Sequence, residues 1–206
     1  MQLLRQVKEY ENLSINMAGI NQGDERLVVC VLTEQGFMSG IKTLSEATRV
    51  LIGWGANVRF LLLVEAKHRS SGLVNSVISD AFGQTSQIEY QGCIHKNWGK
   101  LKSADLLCLP DDGWANNSSL VLELARLGLP MIATNQMQSR DIIKHGFNGL
   151  LIPSNNGFAL AESLFSMIRC SNRWLEMQIN AMEIRSRMCE IGKKIRNYND
   201  ASIFNY

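Results

Sequence analysis

A chain of 206 residues, 46% hydrophobic and 19% charged, can bury about two-thirds of its unfolded surface in one domain, and its composition excludes disordered and fibrous classes. Its formal net charge of +2 gives no electrostatic ground for a nucleic-acid partner. Five cysteines (Cys30, Cys93, Cys108, Cys170, Cys189) without C-x-x-C spacing and three scattered histidines (His68, His95, His145) form no metal-ligand cluster, and they read as free thiols of a reducing cytosol.

The amino-terminal "MQLLRQVKEYENLS" lacks the apolar core of a signal peptide. No apolar run approaches the roughly 20 residues of a membrane span. A cytoplasmic protein is expected, and the sequons at Asn12 and Asn116 then carry no meaning. Residues 1–25 read as a linker-like segment. From there strand-length apolar runs alternate with helical patterns. Strands are predicted at 27–32, 57–64, 87–91, 105–109, 130–134 and 149–152, with helices at 40–53, 71–82, 96–103, 118–127, 138–145 and 157–169. Several strands are continuously apolar, as strands buried on both faces of a parallel sheet must be. The alternation predicts βαβ units, hence an α/β fold with a Rossmann-like, doubly wound parallel sheet over 26–170. Turn chemistry agrees: Pro110 stops one strand, and Gly128 closes a helix before Pro130 opens the next.

The tail, 171–206, reads as one long amphipathic helix. Trp174, Met177, Ala181, Ile184, Met188, Ile191 and Ile195 are spaced alternately three and four apart, a narrow apolar stripe. Two readings fit it: a helix docked on its own domain, or a face for a protein partner or homodimer. A mildly basic balance leaves contact with anionic lipid as a minor option.

In an open parallel sheet, ligands bind beyond the carboxyl ends of the strands, where strand order reverses. The loop "PDDGWANNSSL" follows a strand and ends in Asn116, Asn117, Ser118 and Ser119, at the position of a helix N-cap. Free N–H groups and the positive end of the dipole suit such a terminus to a diphosphate, although a capped surface turn explains the same letters. Glu123 follows within the otherwise apolar "LVLELARLGLP". It suits hydrogen bonds to ribose hydroxyls, or a solvent face paired with Arg126.

The run "ADLLCLP…LVLELARLGLPMIATN…DIIKHGFNGLLIP…ALAESL" resembles the carboxyl-terminal, nucleotide-sugar-binding domain of GT-B fold glycosyltransferases, in the retaining family known as family 4 or glycosyl transferases group 1. The resemblance covers Arg26 to Ile168 and is strongest over 104–164. It implies one half of a GT-B fold and transfer of a sugar from a nucleoside-diphosphate sugar in glycan or polysaccharide biosynthesis. The donor is a substrate, no separate cofactor or metal is implied, and an amino-side acceptor domain would be supplied elsewhere. By resemblance, Glu123 matches the ribose-contacting glutamate, while the glutamate eight positions earlier falls on Ala115 and its following glycine on Asn116. The Lys-Gly pair that clamps the diphosphate is represented by Ser39 and Gly40, and the partner arginine falls near Glu34. The Gly-Gly after "IAT" is Met137-Gln138, and Asp141 replaces a glutamate. Ala104, Asp105, Pro110, Gly128, Pro130, Thr134, Gly146, Asn148 and Gly149 match. Positions that shape the domain are kept and those that touch phosphate and sugar are mostly replaced. That pattern raises the alternative of a catalytically degenerate domain serving as partner or regulatory subunit of a transferase.

Overall fold

The computed structural model describes residues 25–65, 71–83, 85–116 and 118–203, with side chains in the last helix as far as Glu190. Residues 1–24 of the expected linker, Asn117, and residues 204–206 of the tail lie outside the described residues. In chain order the elements are β1 (Arg26–Thr33), α1 (Phe37–Gly53), β2 (Val58–Glu65), α2 (Ser71–Phe82), β3 (Ile88–Cys93), α3 (Trp98–Lys102), β4 (Leu106–Leu109), α4 (Ser118–Ala125), β5 (Met131–Thr134), α5 (Met137–Ile142), β6 (Gly149–Ile152), α6 (Gly157–Arg169) and α7 (Ser171–Ile203). Short 3₁₀ turns at Ile94–Lys96 and Gly113–Asn116 precede α3 and α4.

The six strands form one parallel sheet in the order β3-β2-β1-β4-β5-β6, a doubly wound order whose reversal lies between β1 and β4. The continuous apolar runs are explained by cover on both faces. Val28, Cys30 and Leu32 point into a core closed by α1, α6 and the start of α7, while Val29 and Val31 point into a second core under α4. Cys30 and Cys108 are register partners on β1 and β4, fully buried. Burial raises the Cys30 thiol well above its ordinary range, with Cys108 adding to the effect, so this pair is an inert part of the core.

Conserving the shape needs close approaches. A Cβ on Gly40 would lie 2.4 Å from Leu32 Cδ2, so glycine lets α1 lie directly on β1, and one on Gly149 would lie 2.2 Å from the Met131 carbonyl, so β6 meets β5 there. Asn148 builds the turn before β6: its Oδ1 accepts from Lys144 N at 2.7 Å and its Nδ2 donates to Ile142 O at 3.1 Å. Those two bonds end α5 at Ile142, three residues before the predicted end at 145.

Helix α7 passes across the amino edge of the sheet. Trp174 Nε1 donates to Asp105 O at 3.0 Å, Gln178 Nε2 to Gly128 O at 2.8 Å, and Asn180 Nδ2 to Phe147 O at 2.9 Å. Trp174, Met177 and Ala181 are buried and Met188 packs against the second core. From Trp174 to Met188 the stripe is therefore a docking face for the chain's own domain. Asp105 ties the start together, pairing with Arg26 at 3.6 Å and accepting from Leu27 N at 2.8 Å, while Arg26 stacks over the Trp174 ring at 5.0 Å. Truncating Trp174 to alanine removes a buried ring and its hydrogen bond together. A loss of about 3–5 kcal/mol is expected in urea unfolding, and a loss under about 1 kcal/mol would mean that α7 is not docked this way.

Beyond the carboxyl ends of β1 and β4 a single carboxylate ties the loops together. Asp111 is fully buried. It accepts from Thr33 N (2.8 Å), Thr33 Oγ1 (2.8 Å) and Gly113 N (2.7 Å), while Thr33 Oγ1 accepts from Gly36 N (2.9 Å) and Thr134 Oγ1 donates to Asp111 O (2.7 Å). Nothing larger than hydrogen fits at two positions of this knot. A Cβ on Gly36 would lie 2.2 Å from Asp111 Oδ1, and one on Gly113 would lie 1.9 Å from Thr33 Oγ1. Burial raises the Asp111 carboxyl from 3.8 to about 6, with the Thr33 and Gly113 donors pulling it down and the Asp112 charge adding to the rise. Because the folded value lies above the unfolded one, the folded state binds the extra proton. The stability this group contributes is then complete below pH about 3.8 and is lost as pH rises through about 6. Relative to Asp111→Asn, which cannot titrate, wild type is expected to lose roughly 2–3 kcal/mol between pH 4 and pH 8. Urea midpoints across that range would show it, and parallel pH profiles would contradict it.

Candidate functional site at the carboxyl edge of the sheet

The crevice at the switch point is bounded by the loop entering α1, the loop and 3₁₀ turn entering α4, and the loop entering α5. The Asp111 knot fixes the first two, although Thr33 and Asp111 are 78 residues apart. Trp114 anchors the 3₁₀ turn from below, its ring fully buried and its Nε1 without a hydrogen-bond partner. Asp112 closes the side toward β6, with Oδ2 accepting from Asn155 Nδ2 at 3.0 Å and Oδ1 buried and unpartnered. Asn155 holds φ at +54°, a left-handed conformation that asparagine tolerates.

The predicted residues fall into two groups. Asn116 ends the 3₁₀ turn, Ser118 and Ser119 open α4 at the crevice, and Glu123 lies farther along the same helix. Asn117, a further predicted residue, lies outside the described residues. Helix α4 buries Leu120, Val121, Leu124 and Ala125 and turns Leu122 and Glu123 to solvent. Glu123 is therefore exposed to solvent despite its apolar neighbours. The alternative pair with Arg126 is not among the ion pairs of the described residues, which are Arg26–Asp105, Arg59–Glu25 and Arg187–Glu183. Ser39 and Gly40 lie across the crevice in the first turn of α1. The Ser39 hydroxyl donates back to Gly36 O at 3.0 Å, and Gly40 is buried against Leu32 and Asp111.

Charge is distributed unusually for a phosphate site. Glu34 is exposed on the β1 loop and Lys42 is exposed one turn into α1 beyond Ser39. Met38 is 60% exposed at the start of α1 and Met137 is 70% exposed at the start of α5. The rim thus carries two flexible apolar side chains, and the floor carries the adjacent acids Asp111 and Asp112. Sequence reading missed Thr33, Gly36, Asp111 and Gly113. The available signal was an acid pair directly after a buried strand and before glycine, "LPDDG", where an acid must either cap the loop or be solvated.

Comparisons with known proteins place this geometry. The sequence profile of the family described as Glycosyl transferases group 1 matches residues 25–169. A curated relative, the phosphatidyl-myo-inositol mannosyltransferase of Mycobacterium leprae, is 29% identical over 94 residues, covering 44% of this chain and 25% of that protein. The Anabaena HepE structure in complex with UDP and glucose superposes with a TM-score of 0.68 at 16% identity, covering 93% of this chain and 51% of that one. The carboxyl-terminal domain of the Francisella tularensis group 1 transferase LpcC superposes at 0.62 with 17% identity, covering 79% of this chain and 85% of that domain. At such identities the superpositions speak for the fold, and the chain spans a quarter of the mannosyltransferase and about half of HepE. Fold, switch-point crevice and profile converge: the chain belongs to the glycosyl transferases group 1 family and has the architecture of that family's carboxyl-terminal domain.

Proposed function

We propose that this chain is the donor-binding half of a glycosyltransferase that uses a nucleoside-diphosphate sugar in glycan or polysaccharide assembly, with the acceptor domain supplied elsewhere and in a cytoplasmic setting where its five thiols stay free. The observation that carries the reading is the amino end of α4 at the switch point, which starts at Ser118 and Ser119, with Glu123 exposed on the same helix. The diphosphate would meet the amino end of α4, where free N–H groups and the dipole favour negative charge. Glu123 would accept hydrogen bonds from the ribose hydroxyls, and Asn116, Asn117, Ser39 and Gly40 would border the donor. HepE, solved with UDP and glucose, supports this choice of ligand class.

Catalysis in such a site rests on stabilising the departing diphosphate. Here Ser39 and Glu34 stand where the resemblance expects the two cations. Losing one charge-assisted contact costs about 1.5–3 kcal/mol, so donor affinity should be weak. Those replacements, with Met38 and Met137 exposed on the rim, favour a second reading: a non-catalytic domain that binds a transferase partner through the same edge.

Thermal melting against uridine, guanosine and adenosine diphosphates and their sugars separates the two. A ligand at 100 times its dissociation constant adds about 2.7 kcal/mol. For a domain of this size that is a shift of roughly 5–10 °C. The donor reading predicts such a shift for one nucleotide, abolished in Glu123→Ala. No shift with any of them at millimolar concentration would leave the partner reading in its place.

A further inference from the structure

The outer face of α6 carries a stripe that neither the core nor the crevice uses. Helix α6 buries Gly157, Leu160, Ala161, Leu164 and Met167. The opposite face presents Phe158, Glu162, Phe165 and Arg169, spaced at i, i+4, i+7 and i+11. Phe158 is 50% exposed, and Trp54, 39% exposed at the end of α1, meets it edge-on at 5.7 Å and meets Phe165 at 5.1 Å. Trp54, Glu162, Phe165 and Ser166 line a groove of about 380 Å³. Clustered rings of this exposure mark a protein-binding surface, because each offers a large apolar area with few rotamers to freeze.

The charges on this face identify the occupant. Glu162 and Arg169 are the two charged residues of α6. They stand about 10 Å apart along the helix axis, too far to pair with each other, and neither belongs to an ion pair among the described residues. Arg169 stacks over Phe165 at 5.4 Å, which leaves its N–H groups at the rim of the groove. The neighbouring charges are engaged elsewhere. On α1, Glu46 Oε2 accepts from Gly157 N and Arg49 Nε donates to Ser45 O, each at 3.3 Å, and Lys42 stands near the crevice. Arg173 and Glu176 belong to α7, beyond the turn at Cys170. Glu162 precedes Phe165 by three residues and Arg169 follows Ser166 by three. A two-fold axis between Phe165 and Ser166, with two α6 helices antiparallel, therefore sets Glu162 of each copy against Arg169 of the other. That is the condition of an isologous interface, in which residue i meets j and j meets i. The groove lies on this axis, so each copy covers the rings of the other.

We propose that two copies of this chain pair through α6, antiparallel about a two-fold axis at Phe165 and Ser166, with Trp54, Phe158 and Phe165 covered between them and Glu162 facing Arg169 of the second copy. The rings supply the affinity and the charges fix the register, since exposed ion pairs contribute little by themselves. The test is sedimentation velocity of the full chain and its variants from micromolar to near-millimolar concentration. Wild type should pass from monomer to dimer over that range. Glu162→Arg and Arg169→Glu, each setting like charges against each other, should weaken dimerisation about tenfold or more. The double swap Glu162→Arg/Arg169→Glu should return it to within about threefold of wild type, a recovery that requires the two positions to meet across copies. Phe158→Ser, an independent change at an exposed ring, should also weaken the dimer while leaving the melting of the monomer unchanged. A wild-type chain that stays monomeric throughout overturns the proposal. So does a dimer indifferent to both single charge changes, or a double swap no tighter than either single variant.

Discussion

The buried Asp111 carboxylate is the constraint from which the functional half of the domain follows. Strands β1 and β4 lie side by side, but their outgoing loops leave in opposite directions, and such loops have no ladder to hold them. Asp111 supplies the missing bonds, taking two backbone N–H groups and one hydroxyl while its own carbonyl takes Thr134. Gly36 and Gly113 are glycine because the carboxylate and the Thr33 side chain occupy the space a Cβ would need. With the knot closed, the start of α1 and the 3₁₀ turn before α4 have fixed positions, and the crevice between them has a fixed shape. A buried carboxylate is costly without partners, so the three donors are as necessary to the acid as the acid is to the loops.

Much of the architecture was legible in the sequence, and the reasons are physical. Continuous apolar runs recur wherever both sheet faces are covered, which is why all six strands lie within about two residues of their predicted positions. Helix ends were less legible where a side chain far along the chain decides them. Helix α1 begins at Phe37 rather than 40 because Gly36 O accepts from Gly40 N at 2.8 Å and Phe37 is fully buried. Helix α5 stops at Ile142 because Asn148 takes the next backbone groups. The site was legible only in part. Glu123 drew notice as an acid in an apolar run, yet its exposure depends on which face α4 turns inward. Asp111 has no periodic signature at all, since its partner Thr33 lies on a different strand.

The matches to the family sort along the same line. Asp105 holds Arg26 and Leu27, Asn148 builds a turn, Gly149 lets two strands touch, and Thr134 joins the knot. Each is explained by the fold without a ligand. The positions where the resemblance expects cations or open backbone hold Ser39, Glu34 and Met137 instead. The domain thus keeps the frame of the family's carboxyl-terminal domain, while acids rather than bases stand at the crevice. A nucleotide bound there would rely on helix N–H groups and Glu123 more than on ion pairs, so its affinity should depend weakly on salt.

Backbone amide NMR during titration with UDP shows whether the switch-point crevice is where this chain meets a nucleoside diphosphate. Binding there predicts shifts confined to the loops entering α1 and α4, with Gly36, Gly113 and Ser119 among the residues that move. Shifts centred on the amino edge, around Trp54 and Trp174, with the carboxyl-edge amides unmoved, would contradict it.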